Sequence, residues 1–221
     1  MGRADARTEA DGPPKRIVAL VGADGAGKST QAARLVTQLE AMGYRAERVR
    51  PLFLLFNPWR LHPRGSADLS PRWIRLRPDM DRGGVRGLGA ALRLAVGYLY
   101  AVLSYAYMRT SLRDVDYLVC DHYFYQYFYD LAGESAHRLA QSFPKPDLVF
   151  WLDAPPAMLR GRIEKLPNGH EPESYLESVV QFYRSIAVDL QFIRIDATEG
   201  ERSVTATIWK NLSPEVGRRA A

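Results

Sequence analysis

At 221 residues, 47% hydrophobic and 25% charged, the chain can bury a sizeable core and has the balance of one soluble globular domain. Its single cysteine, Cys120, excludes an internal disulfide and a CxxC metal site, fits a reducing cytoplasm, and reads as a small apolar residue in a strand. The net charge of +5 is uneven: eleven arginines fall between Arg50 and Arg113, against only Asp68, Asp79 and Asp81 and no lysine.

Residues 1–15 are polar and mixed in charge, and they lack the apolar core of a signal peptide. A disordered leader is expected there. Residues 17–21, Ile-Val-Ala-Leu-Val, predict a buried strand that runs into a glycine loop and a helix start. Gly22-Ala23-Asp24-Gly25-Ala26-Gly27-Lys28-Ser29, with Thr30 behind it, fits the pattern Gly, four residues, Gly-Lys-Ser/Thr. Glycines let the backbone bend so that successive N–H groups point inward at phosphate oxygens. A helix beginning near Lys28 adds its free N–H groups and positive dipole end to the same anion site. Lys28 can reach the β- and γ-phosphates, and the Ser29 hydroxyl can ligate a Mg²⁺ that bridges them. ATP and Mg²⁺ are therefore the expected cofactors. The phosphate-binding set is Gly22, Asp24, Gly25, Ala26, Gly27, Lys28, Ser29 and Thr30.

Leu35, Leu39 and Met42 then recur at helical spacing, and Gly43 supplies a stop. Residues 45–50 read as a short strand ending at Pro51. From 52 to 89 the many Pro, Gly and Arg residues, with Trp59 and Trp73, show no period and predict loops with one or two short helices. Residues 88–108 form the most apolar run. A membrane span wants about 20 uninterrupted apolar residues. Arg93 and the interspersed Tyr and Ser favour a buried helix, with a homodimer face as a further expectation, over stable membrane insertion.

Residues 117–121 predict a second buried strand with Asp121 at its carboxyl end, followed by an aromatic-crowded stretch to Asp130 and a helix over 135–142. Residues 148–152 predict a third buried strand, ending at Asp153, and Pro155 and Pro156 open the next helix. A turn-like stretch at 166–170 precedes a helix over 172–187, a strand over 192–196 and a last helix over 204–212. Strands alternating with helices, and near-continuous apolar strands, predict an α/β fold with a parallel sheet covered on both faces. Ligands of such sheets bind beyond the carboxyl ends of the strands, where Gly22, Arg50, Asp121, Asp153 and Asp196 all fall.

Four segments carry a resemblance to the thymidylate-kinase-like nucleoside monophosphate kinases: the glycine loop, Asp121-His122-Tyr123, residues 146–156 (Pro-Asp-Leu-Val-Phe-Trp-Leu-Asp-Ala-Pro-Pro) and residues 193–198 (Ile-Arg-Ile-Asp-Ala-Thr). It spans residues 16–212 except 52–113. The resemblance implies a three-layer P-loop NTPase fold with about five parallel strands. It implies one kinase domain over 16–212, with an acceptor insert at 52–113, a lid at about 164–173 and a tail at 213–221. Carried over, Asp121 acts on the Mg²⁺ shell or the acceptor, Arg50 meets an acceptor phosphate, and Asp24 faces the acceptor side. His122 and Tyr123 stand in the motif that holds the acceptor. Arg162 flanks the lid near the adenine or phosphates, as a catalytic cation beside Lys28 and Asp121.

The chain also departs from that pattern. His122 replaces the motif's arginine, and an imidazole is a poorer phosphate ligand than a bidentate guanidinium. Ala26 stands where a loop arginine could be, and Lys165 is the only base in the expected lid besides His170. The basic insert is thus the expected source of a further cation, with Arg72, Arg75 and Arg77 around Trp73 assigned to the acceptor; a solvated basic face is the plainer alternative. The expected activity is transfer of the γ-phosphoryl of ATP to a small acceptor, which the basic insert suits if it already carries a phosphate. Alternatives are a kinase of a sugar or secondary-metabolite acceptor, a nucleotide-binding regulatory protein without transfer, and an ATPase. Nothing resembles a nucleic-acid module.

Overall fold

The computed structural model describes residues 15–54, 88–112, 114–165 and 171–220. Arg72, Arg75, Arg77 and most of the expected insert lie outside them, as do the expected leader apart from Lys15 and the central part of the expected lid.

Five strands form one parallel sheet in the order β2-β3-β1-β4-β5. They are β1 (Arg16–Val21), β2 (Ala46–Val49), β3 (Tyr117–Asp121), β4 (Leu148–Asp153) and β5 (Ile193–Asp196). The three central strands are apolar at nearly every position because helices cover both faces. Ile17 through Val21 and Leu118 through Asp121 have almost no exposure. The expected α/β parallel sheet of about five strands is what the chain forms.

The strand order also sets the place of chemistry. After β1 the chain crosses to the edge at β2 and returns to β3 beside β1, and it later places β4 on the other side of β1. Connections therefore diverge around β1, which opens a crevice at the carboxyl ends of the strands.

Helix α1 (Lys28–Ala41) lies directly behind the glycine loop and packs Leu35 and Leu39 into the core. Gly43, at φ +86°, donates its N–H to the Glu40 carbonyl at 2.9 Å and ends the helix. Met42 falls at the C-cap with 55% exposure, so it does not extend the buried row as its spacing suggested.

Helix α2 (Leu88–Ser111) departs from the expected buried helix. Tyr100, Ala101, Ser104 and Met108 face the core, while Leu92, Val96, Leu99 and Leu103 are exposed. Its stretch Ala91–Thr110 is long and apolar enough to cross a membrane, and 28% of it is buried. The continuous apolar composition hid two different faces.

The aromatic stretch after β3 is itself a helix, α3 (Phe124–Ala132), which the sequence did not predict. Eight of its nine residues are buried, and its polar edge consists only of Gln126 and Asp130, four positions apart among tyrosines and phenylalanines. Phe124 and Phe128 meet Phe143 at ring-centroid distances of 4.7 and 5.0 Å. Helix α4 (Ala136–Ser142) follows, then α5 (Pro156–Ile163) and α6 (Glu173–Ala187) close to their expected places. The last helix, α7 (Glu201–Ala220), continues well past Leu212 through Pro214, with Leu212 and Val216 buried. Packing of those two side chains carries the helix across a residue that by itself would interrupt it.

Candidate active site

Three strand ends and one helix start converge at the crevice. The glycine loop leaves β1 with Gly22 at φ +139°, and a Cβ there would stand 2.5 Å from the Leu152 carbonyl oxygen of β4. Only glycine permits both the turn and that close approach. Gly25 and Gly27 also have positive φ, at +82° and +93°. Ala26 is different: its methyl is buried, and its N–H donates to the Ala23 carbonyl at 3.2 Å. Its amide thus closes a turn within the loop. Thr30 is exposed in the first turn of α1.

Lys28 is buried, and its Nζ donates to the carbonyls of Gly22 at 2.8 Å and Ala23 at 2.7 Å. Asp24 Oδ1 lies 3.4 Å from the same nitrogen. Next to it, Ser29 Oγ donates to Asp121 Oδ1 at 3.0 Å, joining the helix start to the end of β3. Arg50, just beyond β2, donates through Nε to Asp121 Oδ2 at 3.1 Å and through Nη2 to Ser29 Oγ at 3.0 Å. Arg48 of β2 donates to the Ser29 carbonyl at 3.0 Å.

His122 adopts φ +73°, a left-handed conformation uncommon for a residue with a Cβ. That turn places Nδ1 3.1 Å from Asp121 Oδ1 and Nε2 3.4 Å from Asp24 Oδ1, so the imidazole spans the two carboxylates. Burial by itself would raise the Asp24 carboxyl. The Lys28 ammonium, with His122 and Gln126, outweighs it and holds Asp24 well below the usual carboxylate range. Asp121 follows the same logic: burial pushes up, while His122 and Arg50 hold it well below. Burial lowers Lys28, and Asp24 and Asp121 pull it back up. Both carboxylates are thus ionised in the neutral range.

A cavity of about 180 Å³ opens beside this cluster. It is lined by Asp24, Arg50, Pro51, Leu52, Phe53, Asp121, His122, Tyr123, Gln126, Tyr127 and Asp130. Tyr123 contributes no polar group to it, because its hydroxyl already donates to the Pro144 carbonyl at 2.7 Å and its ring is buried. Tyr123 therefore borders the cavity with its ring and not its hydroxyl. Sequence reasoning missed Gln126, whose Nε2 donates to Asp24 Oδ2 at 3.3 Å and to the Tyr175 hydroxyl at 3.1 Å. Tyr175 in turn donates to Asp130 Oδ1 at 2.7 Å. The available signal was one amide among aromatics, and α3 went unrecognised. Gln126 Oε1 is buried and has no hydrogen-bond partner among the described residues.

Arg162 sits apart from the cavity. It donates to the Ala197 carbonyl at 2.8 Å and to the Gly25 carbonyl at 3.5 Å, bracing the glycine loop against the end of β5. Arg160 joins Glu164 and Glu173, each at 2.8 Å, across the two flanks of the expected lid.

Ser29 Oγ and the Asp121 carboxylate are hard oxygen ligands beside a phosphate-type loop, so the residues present fit a magnesium ion. Among the described residues no group of three or more His, Cys, Asp or Glu could hold a metal. A magnesium ion that keeps waters and takes most of its ligands from phosphates needs no such cage.

No protein-family model matches the chain, and no curated protein matches its sequence. Among solved structures, it is similar to a deoxyadenosine kinase from M. mycoides with bound dATP, at TM-score 0.56 and 16% identity. The match covers 90% of this chain and 99% of that one. What the two share is the fold, which in this chain is the five-stranded parallel sheet with its flanking helices.

Proposed function

We propose that the chain is a P-loop phosphotransferase that moves the γ-phosphoryl of ATP to a small acceptor. The observation that carries this reading is the joining of the Lys28–Ser29 helix start to Asp121 beside a cavity large enough for an acceptor group. The glycine loop would hold the triphosphate through its amides and Lys28. Ser29 and Asp121 would hold magnesium, which neutralises phosphate charge when bound. Asp24, ionised and on the cavity side of the loop, would orient an acceptor hydroxyl by accepting its hydrogen bond. Arg162 would act by keeping the loop in shape. Phosphoryl transfer asks mainly for positioning and charge stabilisation, which this arrangement can supply.

A hydroxyl-bearing acceptor is favoured over a phosphorylated one. Among the described residues, the cavity is lined by three carboxylates, Asp24, Asp121 and Asp130, against one arginine, Arg50, and one imidazole, His122. A hydroxyl-rich acceptor such as a nucleoside or sugar satisfies these groups, whereas an acceptor phosphate would meet mainly carboxylates.

The test is acceptor-stimulated ADP formation with purified protein, ATP and Mg²⁺. A panel of 2′-deoxyadenosine, thymidine, thymidine monophosphate and simple sugars and their phosphates is compared with no acceptor. Stimulation by an unphosphorylated member, lost in Lys28→Ala, supports the reading. Equal ADP formation with and without every acceptor would instead indicate an ATPase, and nucleotide binding without turnover a regulatory protein.

A further inference from the structure

Arg50 faces two ways. Behind it stand the two groups assigned to magnesium, reached at 3.1 Å (Asp121 Oδ2) and 3.0 Å (Ser29 Oγ). In front of it lies the cavity, which it lines with Asp24 and Gln126. The ring of contacts closes because Ser29 Oγ itself donates to Asp121 Oδ1. A guanidinium carries donors only, so here it engages oxygen lone pairs that a metal ion would also take. Magnesium requires such lone pairs directed at it from about 2.0–2.1 Å in near-octahedral geometry. A monovalent and a divalent cation held by the same two oxygens would repel each other strongly in so buried a place.

The main chain decides which partner yields. Asp121 is fully buried at the end of β3, and Ser29 belongs to the first turn of α1. The Arg50 carbonyl accepts the Phe53 N–H at 3.0 Å, and buried Pro51 follows it, so the Arg50 backbone is anchored as well. Its side chain, 35% exposed, is the part free to swing, and the space beside it is the cavity.

We propose that Arg50 is an exchange residue: loading of magnesium and nucleotide displaces its guanidinium from the Ser29–Asp121 pair into the cavity, where it becomes a two-point ligand for the acceptor. This rests on the donor-site reading above. The exchange makes metal–nucleotide and acceptor binding cooperative, with metal and nucleotide first. It also explains why an arginine suits the position, since its fork bridges two oxygens in either place and a lysine ammonium does not.

The experiment measures metal enhancement of nucleotide binding by calorimetry, as the ratio of affinities for a non-hydrolysable ATP analogue with Mg²⁺ and with EDTA. Attraction between Arg50 and the phosphates enters both conditions and largely divides out. Removing the competing cation in Arg50→Met should raise that ratio by at least about tenfold over the wild type. Arg50→Lys, which keeps the charge and loses the fork, should fall between them. A ratio that is unchanged or reduced in Arg50→Met overturns the proposal, because Arg50 would then be a fixed brace for Asp121. If Arg50→Met does not fold by circular dichroism, Arg50→Lys decides: a ratio above the wild type supports the exchange, and one at or below it overturns it. Wild-type protein that binds no analogue in either condition overturns the donor-site reading and the exchange with it. Binding with an unaltered ratio overturns the exchange alone.

Discussion

Ser29 and Asp121 are 92 positions apart in the chain, yet the Ser29 hydroxyl donates to the Asp121 carboxylate at 3.0 Å. The contact exists because β3 pairs directly with β1, register Leu20 to Asp121, which brings the end of β3 beside the loop that leaves β1. It makes Asp121 the link between the phosphate loop and the cavity. Asp121→Asn keeps the shape and removes the charge. We expect kcat to fall at least about tenfold, or about 1.4 kcal/mol in the barrier, measured with whichever acceptor stimulates ADP formation. Unchanged kcat with unchanged Mg²⁺ dependence would make Asp121 a purely structural residue.

Acid stability should report the same carboxylates. The folded-state pKa values of Asp24 and Asp121 lie below their unfolded values, which are about 3.9. Such groups contribute stability that is fully present above the unfolded pKa and is lost as pH falls through the folded one. Urea unfolding should therefore weaken steeply below about pH 4. In Asp121→Asn that dependence should be shallower, even though the variant starts less stable because Arg50 loses its carboxylate partner. An equally steep fall in wild type and variant would contradict the assignment.

Gly22→Ala tests the loop geometry. The new methyl would stand 2.5 Å from the Leu152 carbonyl oxygen, on a residue held at φ +139°. Neither the β4 backbone nor the φ value can relax cheaply, so a loss of about 1–3 kcal/mol or more is expected from thermal or denaturant unfolding. Nucleotide binding should fall as well. A variant with wild-type stability would mean that the glycine loop does not press against β4.

Gln126→Leu separates the acceptor side from the donor side. It removes the amide that donates to Asp24 and to Tyr175 and the unpartnered oxygen within the helix. The KM of a working acceptor should rise several-fold while affinity for ATP stays within about twofold, a split of about 1 kcal/mol or more between the two sites. Equal loss at both sites would show that Gln126 serves only to hold the glycine loop.

Local physics made much of this protein legible in one dimension. The strand, glycine loop and helix around Lys28 are specified by neighbours in sequence: apolar runs, glycines that tolerate positive φ, and a helix start that exposes amides. The three central strands could be read in the same way, because strands covered on both faces are apolar nearly throughout, whereas the edge strands β2 and β5 carry charged residues. Helix α3 was missed, because its period rests on Gln126 and Asp130 alone, set among aromatics that suit a strand equally well. The tertiary structure alone decided which distant groups meet. Strand order placed Asp121 against Ser29, the turn at His122 set its imidazole between Asp24 and Asp121, and α3 carried Gln126 to the cavity. Residue types and spacing limit the chemistry a segment can do, but contacts between segments follow from strand pairing and helix packing, which act across the whole chain.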